Sequence, residues 1–288
     1  MSHDLQFWNN IERKLKNAHA LFPFGLRGQG CSLLIAESRF YSAISVGIKE
    51  QYGRIAFNRP EKYNCINIDT FQEIPVALRK LDEDVNVKFA VLTGEGKFYS
   101  AGNDINNFSY IYGSEDGTEM SRKVIDNFVK AFIEFKKPLI AVCNGPAIGI
   151  SATTLALCDA VWASDEAYFL TPFTKLAQGP EGCSSSTFPK IMGSALASEM
   201  LLFNKQMSAQ EAKDCGLVSR LISSKNFEEE VNSMLKEIAD LPPQAMLLGK
   251  SLVKNQAQID HLLETATAEN YGLKERWESP ECKARFMK

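Results

Sequence analysis

Two glycine-bearing turns carry the groups in this sequence best placed for chemistry. Over residues 144–159 the run Asn-Gly-Pro-Ala-Ile-Gly opens a nearly uncharged stretch that ends at Cys158 and Asp159. It reads as a tight turn leading into an apolar helix. At such a start the first N–H groups lack intrahelical partners and can face an oxygen that becomes negative during a reaction. A second turn, Ser100-Ala101-Gly102-Asn103-Asp104, follows the strand-like run at 89–93 and offers another donor. Two donors from two separate turns make a candidate oxyanion hole, which points to chemistry at a carbonyl. Alone, Asn-Gly-Pro is only a turn signal. Residues 138–163 would imitate a membrane span, but Asn144-Gly145-Pro146 interrupts them.

The elements that must position these turns follow from hydrophobic patterning. Residues 44–50 and 53–58 read as a strand pair around a Gln-Tyr-Gly turn. Residues 69–82 read as a helix with Phe71, Ile74, Leu78 and Leu81 on one face, in which Pro75 marks either a kink or the true start. Buried strands follow at 89–93, 139–143, 160–163 and 168–170, and one that ends at Leu221. A helix over 120–136 points Val124, Phe128, Ala131 and Phe135 inward. Further helices are expected over 184–192, 194–203, 208–215, 226–240, 244–255 and 259–277. Strands alternating with helices imply an α/β architecture. Residues 1–44 differ: Leu5, Trp8, Ile11 and Leu15 recur at helical spacing before Pro23, Gly25, Gly28 and Gly30 break the pattern.

Length and composition bound the rest. A chain of 288 residues, 45% hydrophobic and 23% charged, can bury a full core as one large or two small domains. Net charge is −3, from 32 basic and 35 acidic side chains, and no segment is strongly basic, so nucleic acid is not an expected partner. Seven cysteines, odd in number and without a Cys-x-x-Cys pair, stand beside only three histidines. That pattern weighs against a zinc site or a disulfide framework and fits a reducing intracellular compartment. The first residues carry Asp4, Glu12, Arg13 and Lys14 and no apolar core of a secretory signal. The final Phe-Met-Lys differs from a Ser-Lys-Leu address.

Several motifs in colinear order resemble one family. Residues 57–67, Phe-Asn-Arg-Pro-Glu-Lys-Tyr-Asn-Cys-Ile-Asn, are similar to the N-terminal signature of the crotonase (enoyl-CoA hydratase/isomerase) superfamily. Residues 99–104 and 144–149 resemble its two oxyanion turns. Residues 171–185, Thr-Pro-Phe-Thr-Lys-Leu-Ala-Gln-Gly-Pro-Glu-Gly-Cys-Ser-Ser, are most similar to peroxisomal-type 3,2-trans-enoyl-CoA isomerases. The resemblance spans residues 45–285.

It implies a crotonase-like spiral of repeated ββα units with a C-terminal helical trimerisation region. The corresponding division is an extension over 1–44, a core over 45–240 and a helical region over 241–288. It also implies an acyl-CoA substrate, no further cofactor, no metal, a homotrimer or dimer of trimers, and residence in the peroxisome or mitochondrial matrix. The backbone N–H groups of Asn103 and Ile150 are the implied oxyanion donors. Where hydratases of the family carry two glutamates, this sequence has Thr153 and Phe173, which disfavours water addition. Glu181 stands where the similar isomerases place a single base, to take a proton from carbon 2 of a 3-enoyl-CoA and return it to carbon 4. Lys62, Asn64, Ile66, Ser100, Ala101, Gly102, Asp104, Ile105 and Gly149 would line the CoA and substrate path. Arg54 and Arg59 are further phosphate candidates, with solvated surface charge as the equal alternative, and Lys274, Arg276 and Lys283 are weaker ones. Asp104 is better read as a helix N-cap, and Cys183 as a buried hydrophobe. Alternatives are another crotonase activity (hydratase or thioesterase) and a non-catalytic acyl-CoA-binding paralogue.

Overall fold

The computed structural model describes residues 41–286, so the helix expected near Trp8 lies outside the described residues. β1 (Ile44–Lys49) and β2 (Tyr52–Phe57) pair antiparallel. Glu50 and Gln51 join them with φ of 48° and 66°, the left-handed pair that a two-residue hairpin turn needs. The turn thus precedes Gly53 instead of containing it. Gly53 lies within β2, where a Cβ would come 2.4 Å from the Leu81 side chain.

From β2 the sheet grows by parallel addition of β3 (Phe89–Gly94), β4 (Leu139–Cys143), β6 (Ala160–Ser164) and β9 (Arg220–Ile222), in the order β1-β2-β3-β4-β6-β9. Successive side chains alternate between faces. Ala90, Leu92, Ala141 and Val161 enter one core with α1 (Ile68–Glu83) and α3 (Gly117–Glu134). Phe89, Val91, Ile140, Val142 and Trp162 enter another with Val231, Leu235 and Ala239 of α8 (Phe227–Ala239). Both faces are covered, which is why these strands read as continuous apolar runs. Pro75 lies inside α1 and does not start it.

A small second sheet, β5 (Ala147–Ile148), β7 (Tyr168–Leu170) and β8 (Met207–Ser208), flanks the second glycine turn. The apolar helix expected there is short. One α turn, α4 (Ile150–Thr153), tightens into a 3-10 turn over Thr154–Leu157. Thr153 and Thr154 donate their hydroxyls back to Ile150 O at 3.1 and 2.8 Å, a bond that competes with regular helix. Near the first glycine turn, a 3-10 turn over Ile105–Asn107 precedes α2 (Phe108–Gly113).

α5 (Ser184–Met192), α6 (Ser194–Leu201) and α7 (Ala209–Asp214) follow β7. The chain ends in α9 (Pro243–Val253), α10 (Gln256–Glu278) and α11 (Pro280–Phe286), the last unforeseen in the sequence. α10 enters the main core through Leu262, Ala266, Leu273 and Trp277, whereas α9 buries no residue. Among the described residues no helix is long and apolar enough to cross a membrane.

Candidate active site

The two glycine turns meet. Ile66 N–H donates to Gly102 O at 2.7 Å, and Asp104 N–H donates to Ile66 O at 3.0 Å. In this parallel bridge Asn103 sits between the two bonds, so its own N–H faces the opposite side. Gly102 has φ 78°, and a Cβ there would lie 2.3 Å from Ile148 O, so only glycine allows the approach. Ile148 N–H in turn donates to Ser100 O at 3.0 Å. Ser151 Oγ lies 2.9 Å from Ser100 O and accepts from Ile148 N–H at 3.0 Å, tying both turns together.

The second turn ends at Gly149, whose φ of 61° and ψ of −131° suit glycine and whose N–H donates to Leu170 O at 2.8 Å. Ile150 is the first residue of α4, so its N–H has no intrahelical acceptor. Neither Asn103 N–H nor Ile150 N–H meets an acceptor among the described residues. Ile150 is fully buried. A buried amide without a partner is expensive, and a ligand oxygen would relieve it. Both donors named from the sequence are thus brought together by bonds between their loops.

Glu181 enters from the loop before α5. Its residue is 4% exposed, and its carboxyl has no hydrogen-bond partner among the described residues. The turn itself is tightly specified. Ser184 Oγ donates to Glu181 O at 2.7 Å, and Gly182 and Cys183 both adopt left-handed backbone, with φ of 67° and 63°. A Cβ on Gly182 would lie 2.4 Å from Thr153 Oγ1. The Glu181 turn therefore packs directly on α4, one helical turn from the Ile150 donor. Burial, and secondly the charge of Glu269, push the Glu181 carboxyl up to about 8. A group that titrates there can both take and give a proton near neutral pH.

Thr153 and Phe173 are buried, at 0% and 2% exposure, and contribute no carboxylate. Glu269, from α10, is the second acidic group beside Glu181. Its two oxygens accept from Cys183 N–H at 2.7 Å and Ser185 N–H at 2.8 Å, so it is not a free base. No sequence motif marks Glu269: it is one glutamate on a long polar helix, 88 residues after its neighbour Glu181.

The CoA candidates divide. Arg59 donates to Cys65 O at 2.8 Å and pairs with Asp104 at 3.1 Å, and Arg54 pairs with Glu95 at 2.9 Å. Both arginines are held by acidic partners, Arg59 within its loop and Arg54 on β2, and are not free phosphate ligands. Lys274 pairs with Glu119 at 3.2 Å, and Arg276 with Glu281. Lys62 is exposed at the end of a 3-10 turn and has no ion pair among the described residues. Asn64 accepts from Arg59 N–H at 2.9 Å and donates to Glu95 O and Phe98 O at 2.8 and 2.7 Å, which shapes the loop. Ser100 is buried, with Oγ accepting from Gly102 N–H at 3.1 Å; Ala101 N–H donates to Tyr63 O at 2.9 Å. Ile105 is an apolar side chain 67% exposed beside the first turn. Asp104 Oδ1 caps the following 3-10 turn through Asn106 N–H at 3.0 Å, as its N-cap reading expects. Cys183 is fully buried and its thiol is pushed up to about 12, chiefly by burial, in keeping with a hydrophobe. A cavity of about 840 Å³ lies elsewhere, between Asp159, Lys190, Met246, Lys250 and His261. It shares no residue with the two turns or with Glu181. Among the described residues no three His, Cys, Asp or Glu side chains are arranged to hold a metal.

Comparison with known proteins identifies a family. Residues 47–284 match the family model described as enoyl-CoA hydratase/isomerase. The chain belongs to the enoyl-CoA hydratase/isomerase family. It is 47% identical over 231 residues to Enoyl-CoA delta isomerase 2 of Rattus norvegicus, covering 80% of this chain and 58% of that protein. It is 46% identical over 202 residues to Enoyl-CoA delta isomerase 3, peroxisomal, of Mus musculus, covering 70% and 63%. The chain thus spans about three fifths of the length of these curated relatives. The crystal structure of an enoyl-CoA hydratase/isomerase from Pseudoalteromonas atlantica superposes with TM-score 0.77 at 28% identity, covering 85% of this chain and 96% of that one. The fold is that of the crotonase family. Within it this member carries, among the described residues, a buried carboxyl without a hydrogen-bond partner, Glu181, in a turn that packs on α4 through Gly182.

Proposed function

We propose that the chain moves the double bond of a 3-enoyl-CoA, cis or trans, to give the trans-2-enoyl-CoA, in the oxidation of unsaturated fatty acids. The observation that carries this is Glu181: buried, pushed up to about 8 and set in a turn that packs on α4 through Gly182, while its acidic neighbour Glu269 is occupied by two backbone N–H groups and Thr153 and Phe173 supply no second base. In this mechanism ionised Glu181 takes a proton from carbon 2. The electron pair passes to the thioester oxygen as an enolate, which accepts from Asn103 N–H and Ile150 N–H. Protonated Glu181 then returns the proton to carbon 4 as the double bond forms between carbons 2 and 3. No atom is gained or lost, so coenzyme A within the substrate is the only cofactor-like group required. A positioned base contributes roughly 10²–10⁴-fold and each oxyanion donor on the order of 10²–10³-fold.

The substrate path runs past Gly102, Asp104, Ile105 and Gly149, with Lys62 as the phosphate contact. The similarity to a protein named peroxisomal supports an organellar setting, in the peroxisome or the mitochondrial matrix. A homotrimer or dimer of trimers accounts for α9, which carries Leu248, Leu252 and Val253 at 61%, 70% and 79% exposure. In residues 241–288, then, α9 serves assembly and α10 serves the core. Incubation with trans-3-hexenoyl-CoA tests the activity: the 2-enoyl thioester is the expected product. Formation of a 3-hydroxyacyl-CoA from the 2-enoyl-CoA at a higher rate would instead make the chain a hydratase.

A further inference from the structure

The loop that carries Glu181 is held from outside. α5 has no side-chain cap of its own, and its N-cap Cys183 is a non-glycine residue in left-handed backbone. Such a conformation is strained and persists only when its surroundings enforce it. The enforcing group is Glu269. One of its oxygens holds Cys183 N–H at 2.7 Å and the other holds Ser185 N–H at 2.8 Å, so the carboxylate spans the bend two residues past Glu181. Two turns earlier on the same face of α10, Leu262 O accepts from Cys183 Sγ at 3.3 Å, seven residues before Glu269. α10 is itself rigidly seated: Ala266, Leu273 and Trp277 are 1% exposed, and buried Asn270 donates to Asp126 Oδ1 at 3.2 Å on α3.

We propose that Glu269 is a positioning residue for the proton transfer, clamping the left-handed bend after Glu181 so that the Glu181 carboxyl is held against α4. This rests on Glu181 being the base. It assigns α10 a part in catalysis without contact with the substrate. The same carboxylate is the charged group that faces Glu181, and its negative charge opposes ionisation there. On the α4 side Glu181 meets uncharged Thr153 through Gly182. Of the remaining groups at this bend, Cys183 is neutral and Lys254 acts on Cys183. Glu269 therefore has two separable effects, one of geometry and one of charge.

Two variants separate them. Glu269→Gln keeps the shape and one acceptor but removes the charge. Glu269→Asp keeps the charge but withdraws it by one methylene. Each is compared with wild type by steady-state turnover of trans-3-hexenoyl-CoA and by carbon-13 NMR titration of Glu181, assigned through its loss in Glu181→Gln. The Gln variant is expected to titrate Glu181 about one pH unit lower and to lose roughly 10-fold or more in kcat with little change in KM. The Asp variant, which keeps the charge and loosens the clamp, is expected to lose roughly 10-fold or more in kcat with little change in KM. A folded Gln variant with an unmoved Glu181 titration, or a folded Asp variant with wild-type kcat, overturns the proposal. Should the Gln variant fail to fold, the Asp variant alone decides. Wild type inactive on 3-enoyl-CoA would count against the isomerase reading, while the Glu181 titration would still decide the role of Glu269.

Discussion

At the scale of residues, the proposed chemistry depends on one carboxyl, Glu181, whose ionisation is opposed by burial. Glu181 titrates at about 8 in the folded chain against an ordinary value of 4.5. Folding therefore favours its protonated form. The resulting stability is fully present below pH 4.5 and is lost as pH rises through 8. Glu181→Gln should thus be more stable than wild type at alkaline pH, with a gap that grows between those values to a few kcal/mol, at about 1.4 kcal/mol per pH unit. Thermal melts of both proteins across that range check this; parallel curves would mean that Glu181 is not buried neutral. In wild type, kcat/KM for 3-enoyl-CoA should rise with pH to a midpoint near 8, since only the ionised base accepts a proton. The proposed oxyanion donors are backbone groups and cannot be deleted directly. Gly102→Ala should remove one by forcing its loop off Ile148 O, which an added Cβ would approach to 2.3 Å. A loss of about 10²–10³-fold in kcat is expected, and unchanged kcat would place the oxyanion elsewhere. The two glycine turns were legible in the sequence because glycine, asparagine and proline mark such backbone locally. Glu181 was not legible from its own neighbours. A Pro-Glu-Gly turn is an ordinary surface motif, and only its resemblance to the isomerases set it apart. Glu269 was silent, because its meaning lies in a contact 84 residues away with Ser185.

At the scale of elements, sequence periodicity located the strands and helices well where burial is continuous or one-sided. β3, β4 and α5 fall where apolar runs and spacing place them. The reading was poorer where side chains compete with the backbone. α4 shrinks to one turn because Thr153 and Thr154 bond back to Ile150 O. β5 escaped notice because a two-residue strand has no period to read. α11 begins at Pro280, where a break was as readable as a start. α10 is the element on which the site leans most. Its Trp277 is 1% exposed in the main core. Trp277→Ala should therefore destabilise the chain by about 3–5 kcal/mol. Urea titration would measure this, and a loss below 1 kcal/mol would mean that α10 is not part of the core.

At the scale of the whole molecule, the sheet and its two apolar layers provide a rigid base. Loops at one end of β3 and β4 bring the two glycine turns together there, and the loop before α5 adds Glu181. The α/β character and the chain order were legible because each strand carries its own apolar run. Which of the C-terminal helices enters the core was not, because the more apolar α9 is left uncovered while the more polar α10 is buried through a few apolar positions. α9 leaves Leu248, Leu252 and Val253 uncovered. If it joins copies of the chain, Leu248→Lys with Leu252→Lys should shift the sedimenting species from trimer or hexamer to monomer while the fold, followed by circular dichroism, persists. A wild-type monomer at micromolar concentration would refute that assembly.

The most direct test of the central claim compares wild type and Glu181→Gln in the isomerisation of trans-3-hexenoyl-CoA, with CoA-ester binding measured for both. A single-glutamate isomerase predicts turnover by wild type, and a variant that binds equally well but has lost at least 10²-fold in kcat. Equal turnover by the two proteins would contradict it, since the proton would then travel through another group.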